Sequence, residues 1–208
     1  SHAASQAPSK LGLRPGQSIE VEDAIKALVT KSANDVAVVV AEAVGGNEDA
    51  FARMMTRKAK SLGMNRTVYA NASGLPDSDQ ITTARDQALL GRAIQERFPR
   101  YYRYFSTPSF RYHGRAMRNH NRLLGQLEGL DGIKTGYIRA SGFNLVASMR
   151  RNGRHLVAVV MGGSSGRARD VRMAQLLETN VRIASVRRTA PMIAEAASAR
   201  QEVAAAAV

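Results

Sequence analysis

The chain has no cysteine and no tryptophan among its 208 residues. The first absence excludes disulfides and thiolate metal sites. No apolar run approaches the roughly 18–20 residues of a membrane-spanning helix. The four histidines, His2, His113, His120 and His155, lack metal-ligand spacing, so no metal is expected. Acidic residues are scarce. Against 17 Asp and Glu stand 30 Lys and Arg, a formal net charge of +13. Such a surface favours polyanions: nucleic acid, anionic lipid or an acidic cell-wall polymer. An arginine-rich composition gives the same balance with no such partner. There is no initiator Met, and residues 1–9 carry no charged-then-apolar signal. The chain reads as processed, truncated or cleaved. A final absence is chemical. No serine has a lysine three positions later. The Ser-x-x-Lys pairing, in which lysine activates a serine nucleophile, is therefore missing from these residues.

What is present suffices for a folded domain. Hydrophobic residues make up 44%, too many for disorder. Residues 1–18 read as loop, with a turn at Arg14-Pro15-Gly16. Apolar spacing from Val21 predicts a helix that runs into the polar break Lys31-Ser32-Ala33-Asn34-Asp35. Val36 to Val44 is almost wholly apolar and ends in Gly45-Gly46, a buried helix with a glycine cap. Asn47 caps a further helix that ends near Gly63. Arg66 to Ala70 reads as a short strand. Thr83 with Asp86 resembles a capping box, with the shorter Asp in place of Glu; it opens a helix stopped by Pro99. Tyr101 to Arg118 holds six of the eleven aromatics and reads as extended segments. Two β-rich runs flank Asn152-Gly153, a strong hairpin signal. A last helix is predicted from Asp170 to about Ile183, with Val171, Ala174, Leu177 and Val181 on one side. Residues 1–186 form the expected domain, and the Ala-rich residues 187–208 a tail or linker. Helices followed by an antiparallel sheet backed by a helix predict an α+β domain.

Two short motifs carry chemistry. Lys134-Thr135-Gly136 follows a turn and precedes the hairpin. Lys supplies a fixed charge for a carboxylate, Thr a hydroxyl donor, and Gly lets a ligand backbone approach the strand. A solvated lysine before a turn glycine would give the same triplet. Ser32-x-Asn34 supplies a hydroxyl for proton relay and an amide for a carbonyl; it would equally serve as a helix cap. Arg167, Arg169 and Arg172 follow the hairpin, where an arginine facing a cleft can grip a carboxylate with two parallel hydrogen bonds. Gly162-Gly163-Ser164-Ser165-Gly166 lacks the Lys-Ser/Thr and βαβ setting of a phosphate loop.

These pieces resemble the low-molecular-mass penicillin-binding proteins, serine-type D-alanyl-D-alanine carboxypeptidases of bacterial peptidoglycan. Eight ordered segments carry the resemblance over roughly residues 9–178. They begin at Leu13-Arg14-Pro15-Gly16 and Lys31-Ser32-Ala33-Asn34-Asp35. They continue through Ser73-Gly74-Leu75, Thr83-Ala84-Arg85-Asp86, Asn119-His120-Asn121, residues 131–136 and 142–148, and Val160-Met161-Gly162-Gly163. The resemblance implies a penicillin-binding-protein/β-lactamase-like transpeptidase fold. It also implies hydrolysis of the terminal D-Ala-D-Ala bond of stem peptides through an acyl-serine, inhibited by β-lactams. Ser32 would pass a proton to the leaving amine and Asn34 would orient the acyl peptide. Lys134 and Thr135 would line the carboxylate side beside Gly136, with Arg169 or Arg167 assisting. The Tyr137 N–H would serve the oxyanion. His120 stands where some relatives carry arginine. No cofactor, metal or nucleic acid is implied. The implied partners are stem peptide, β-lactams and a cleaved N-terminal fragment carrying Ser-x-x-Lys. The implied compartment is periplasmic or otherwise extracytoplasmic, reached with a signal peptide not present in this chain. Relatives carry Ser-x-x-Lys a few dozen residues upstream of the segment matching Ser1. Competing readings are a non-catalytic wall-binding or partner-binding module, and a β-lactamase.

Overall fold

A computed structural model describes residues 1–193. A short helix α1 (His2–Ser5) precedes α2 (Val21–Lys31), α3 (Asn34–Gly45) and α4 (Glu48–Ser61). Then come α5 (Ala84–Arg97) and α6 (Pro99–Tyr102). The sheet strands follow: β1 (Ser109–Tyr112), β2 (Arg115–Arg118), β3 (Leu130–Ile138), β4 (Gly142–Arg151) and β5 (Arg154–Gly163). Helix α7 (Gly166–Val181) follows them. Strands β1 and β2 form an antiparallel hairpin; β3, β4 and β5 form an antiparallel sheet in that order. The α+β architecture is the one expected.

The polar break between α2 and α3 closes in three residues. Ser32 ends α2 in the left-handed region (φ 53°, ψ 50°), which costs a non-glycine residue on the order of 1 kcal/mol. Helix α3 starts at Asn34, two residues before the expected apolar run, and Gly46 caps it at φ 78°. Asn47 caps α4 by accepting the Ala50 N–H at 2.8 Å. The tight turn of the main hairpin is as expected: Asn152 and Gly153 both take positive φ.

Helix α7 covers one face of the sheet. Met173, Leu177 and Val181 bury against Leu145, Ala147 and Met149, each large side chain contributing roughly 1.5–3 kcal/mol. Helix α5 covers the opposite face. Gly91 permits the approach, because a Cβ there would lie 2.9 Å from Ile133 Cδ1. A second core joins α2 and α3 to the first hairpin through Ala24, Ala27, Val36 and Phe110.

Four expectations change. Arg66–Ala70 is not a strand but a single bridge, Val68 to Ile81. Side chains take the place of a neighbouring strand: the N–H groups of Arg66, Tyr69 and Ala70 donate to Asp86, Thr56 and Gln80. The capping box is half formed. Thr83 Oγ1 accepts the Asp86 N–H at 3.1 Å, but the Asp86 carboxylate turns to Arg66 N and Thr67 Oγ1. Residues 101–106 are helical rather than extended, since Pro99 opens a new turn and Tyr102 buries its ring and donates to Asp131 at 2.9 Å. Helix α7 begins four residues early, at Gly166, where Ser165 accepts the Ala168 N–H. Its buried stripe is Arg169, Met173, Leu177 and Val181, and Val171 is 50% exposed. Within the expected tail, residues 187–193 lie against α5; residues 194–208 lie outside the described residues.

Candidate active site

A cleft of about 1170 Å³ opens between β3 and the α2–α3 junction. The loop at Ser73-Gly74-Leu75, the turn Arg118–Arg122 and the start of α7 complete its walls. Every residue singled out from the two short motifs lines it, together with His120, Tyr137, Arg167 and Arg169. The centre is a hydrogen bond from Lys134 Nζ to Ser32 Oγ, joining residues 102 positions apart. Lys134 Nζ also donates to Thr135 O at 2.9 Å. Burial and the neighbouring Arg169 charge push the Lys134 ammonium down to a pKa of about 8. It is still charged at neutral pH, within reach of losing its proton.

Strand β3 is an edge of the three-stranded sheet. Alternate backbone groups along it therefore point away from β4, the condition for an added peptide strand. At Gly136 a Cβ would meet nothing closer than 4.0 Å, leaving that face open. Beyond it, Tyr137 is 58% exposed and stacks on Phe143, with ring centroids 4.3 Å apart. Asn144 faces Gly136 across the ladder and ties the turn to β5, accepting the Gly162 N–H at 3.0 Å.

Asn34 is buried, and its Nδ2 donates to Ala7 O at 2.9 Å. One amide N–H remains for a substrate carbonyl. The adjacent Asp35, not anticipated as a site-building residue, is fully buried. Its carboxylate accepts the N–H groups of Leu11, Gly12 and Leu13 at 2.9, 2.7 and 3.0 Å, and that of Val36 at 3.0 Å. It anchors residues 11–13, just beyond Pro8 and Ser9 at the cleft wall. An aspartate at a helix start is legible as a cap; its long-range partners are not.

The two candidate arginines separate clearly. Arg169 sits on the buried stripe of α7, with Nε and Nη2 on Asp170 Oδ1 (3.0 and 2.8 Å) and Nη1 on Asn144 O (3.2 Å). Two of its five N–H donors remain. Arg167 is exposed on the rim. Arg172 does not line the cleft. His120 is exposed at the mouth. Partial burial, and then the charges of Lys134, Lys31, Arg169 and Arg122, hold its ring below the ordinary histidine range. Among the described residues, no group of three or more His, Asp or Glu is arranged to hold a metal. None of their helices is long and apolar enough to cross a membrane.

Comparison with known proteins gives one consistent match. The model of peptidase family S11, D-alanyl-D-alanine carboxypeptidase, matches residues 1–165. The D-alanyl-D-alanine carboxypeptidase DacC of Escherichia coli is 35% identical over 162 residues, covering 77% of this chain and 40% of the relative. The chain therefore spans about two-fifths of that relative's length. Among solved structures, DacD from Francisella tularensis superposes with a TM-score of 0.81 at 29% identity, covering 85% of this chain and 55% of the other. The ampicillin-bound form of penicillin-binding protein D2 from Listeria monocytogenes gives 0.76 at 28% identity, covering 83% and 72%.

Proposed function

Because the chain belongs to the D-alanyl-D-alanine carboxypeptidase family, we propose that its cleft binds the D-alanyl-D-alanine end of peptidoglycan stem peptides and supports their hydrolysis through an acyl-serine. The observation that carries this reading is the Lys134–Ser32 hydrogen bond beside Arg169, which unites both motifs at one point. The peptide lies along the free edge of β3. Its terminal carboxylate is met by Lys134, Thr135 and the remaining donors of Arg169, with Arg167 and His120 at the rim. The Tyr137 N–H contributes to the oxyanion hole. The remaining Asn34 amide proton orients the acyl carbonyl. Ser32, hydrogen-bonded to Lys134, relays the proton from the attacking hydroxyl to the leaving amine. Water then releases the acyl group, with the proton returned along the same route.

The nucleophile is assigned to a Ser-x-x-Lys motif outside these 208 residues, in a preceding segment or a separate N-terminal fragment. In this reading residues 1–186 are the larger part of a transpeptidase-like domain, β-lactams acylate the assembled enzyme, and the reaction takes place outside the cytoplasm at the cell wall. The test is labelling with a fluorescent penicillin. The chain alone gives no covalent band; the chain with a fragment carrying Ser-x-x-Lys gives a band and releases D-alanine from a D-alanyl-D-alanine peptide. A band from the chain alone overturns the assignment of the nucleophile. A fully assembled protein that gives neither band nor D-alanine overturns the activity.

A further inference from the structure

The cleft carries more positive charge than one carboxylate requires. Lys134, Arg118, Arg122, Arg167 and Arg169 line it against a single acid among the described residues, Asp170, already held by Arg169. Arg118 and Arg122 are exposed and form no ion pair among the described residues. They flank a turn whose backbone is pinned from three sides. Asn119 donates its side-chain amide to Thr107 O at 2.9 Å and its backbone N–H to Pro108 O at 2.8 Å. The His120 N–H reaches Thr30 O at 3.3 Å. Asn121, 2% exposed, donates to Gly132 O at 3.3 Å and accepts the Leu123 N–H at 3.2 Å. A rigid backbone thus holds two uncommitted guanidiniums at the mouth, an arrangement that lowers the ordering cost of gripping an anion.

We propose that Arg118 and Arg122 form a second anion subsite, which selects peptides bearing a free side-chain carboxylate in addition to the C-terminal one. The inference rests on the cleft being the peptide site proposed above. Guanidinium pairs with carboxylate bidentately, and both arginines line the cleft from elements other than β3 and α7, one at the end of β2 and the other in the turn that follows. The C-terminal carboxylate at Lys134 and Arg169 leaves them free for a different group. Among anionic residues of a peptide, a carboxylate is the group that fits.

The test is equilibrium binding to the full chain, read by fluorescence anisotropy at low salt. Two labelled D-alanyl-D-alanine peptides are compared, identical except that one side chain ends in a carboxylate or in its carboxamide. The carboxylate peptide is expected to bind about 5- to 20-fold more tightly. That ratio falls to about one in the double variant R118Q/R122Q. It is retained in R111Q, which removes one charge from the same hairpin away from the cleft. Equal binding of both peptides to the unaltered chain, or a ratio unchanged in the double variant, overturns the subsite while leaving the peptide cleft standing. Failure of both peptides to bind overturns the subsite and the peptide-site reading together.

Discussion

Lys134 is the residue on which the site turns. Its ammonium is partly buried beside Arg169, and its pKa falls from 10.5 to about 8. Below pH 8 the folded and unfolded chains both hold the proton, and the folded state bears the full cost of desolvating the charge. Between about pH 8 and 10.5 the folded state releases its proton first, so stability rises with pH and the cost disappears. K134M, of similar length and uncharged, should therefore be more stable than the unaltered chain at pH 7, by about 1–2 kcal/mol after allowing for partial exposure. The difference should close by pH 10.5. Urea unfolding at both pH values measures it, and a variant no more stable at pH 7 would refute the desolvation account. Ser32 carries a related burden. Its left-handed backbone is unusual for serine, and a strained residue at the centre of a cleft is the pattern of a position held for chemistry.

The elements explain how such residues are held. Helix α3 begins inside the cleft wall, and Asp35 in its first turn gathers four backbone N–H groups. The positive end of the helix favours the same carboxylate. D35A leaves three N–H groups of residues 11–13 without their acceptor, that of Leu13 in a buried place and those of Leu11 and Gly12 partly so. The expected loss is about 2–4 kcal/mol, seen as a lower urea midpoint, with faster tryptic cleavage after Lys10. Retention of the original midpoint would mean that this segment is held by other contacts. The same reasoning separates Arg169 from Arg167. Residues at 169, 173, 177 and 181 face the sheet at intervals of four, so one arginine is drawn into the wall and its neighbour two positions earlier is left on the rim.

At the level of the molecule, the chain returns on itself. After α7, residues 187–193 cross to α5, where Glu96 accepts the Ile193 N–H at 2.9 Å and pairs with Arg92 and Arg188. Burial alone would raise the Glu96 pKa, but the Ile193 N–H and the two guanidiniums outweigh it and hold it below the ordinary glutamate value. A depressed carboxylate gives stability that is complete above its unfolded pKa and is lost as pH falls through the folded one. E96Q should free this segment at neutral pH, with several-fold faster tryptic cleavage at Arg187 and Arg188 and less than about 1 kcal/mol change in global stability. Acid should do the same to the unaltered chain. Unchanged cleavage in E96Q would refute the docking.

Local rules make much of this legible in the sequence. Asn152-Gly153 demands positive φ at two positions, Asn47 presents a cap before an amphipathic run, and the order of eight short segments carries the family likeness. These depend on neighbours a few residues apart, or on order along the chain. The Arg66–Ala70 strand and the extended reading of Tyr101–Ser106 failed, because distant groups override local propensity. Asp86 and Thr56 take the N–H groups a strand partner would have taken, and Asp131 takes the Tyr102 hydroxyl. The cleft belongs to the same class. That Ser32 meets Lys134, that Arg169 turns inward, and that Arg118 and Arg122 stand without an ion pair among the described residues at the mouth follow from packing three helices, a hairpin and a sheet edge around one space. Contact across 102 positions is a property of that packing and has no periodicity along the chain to announce it.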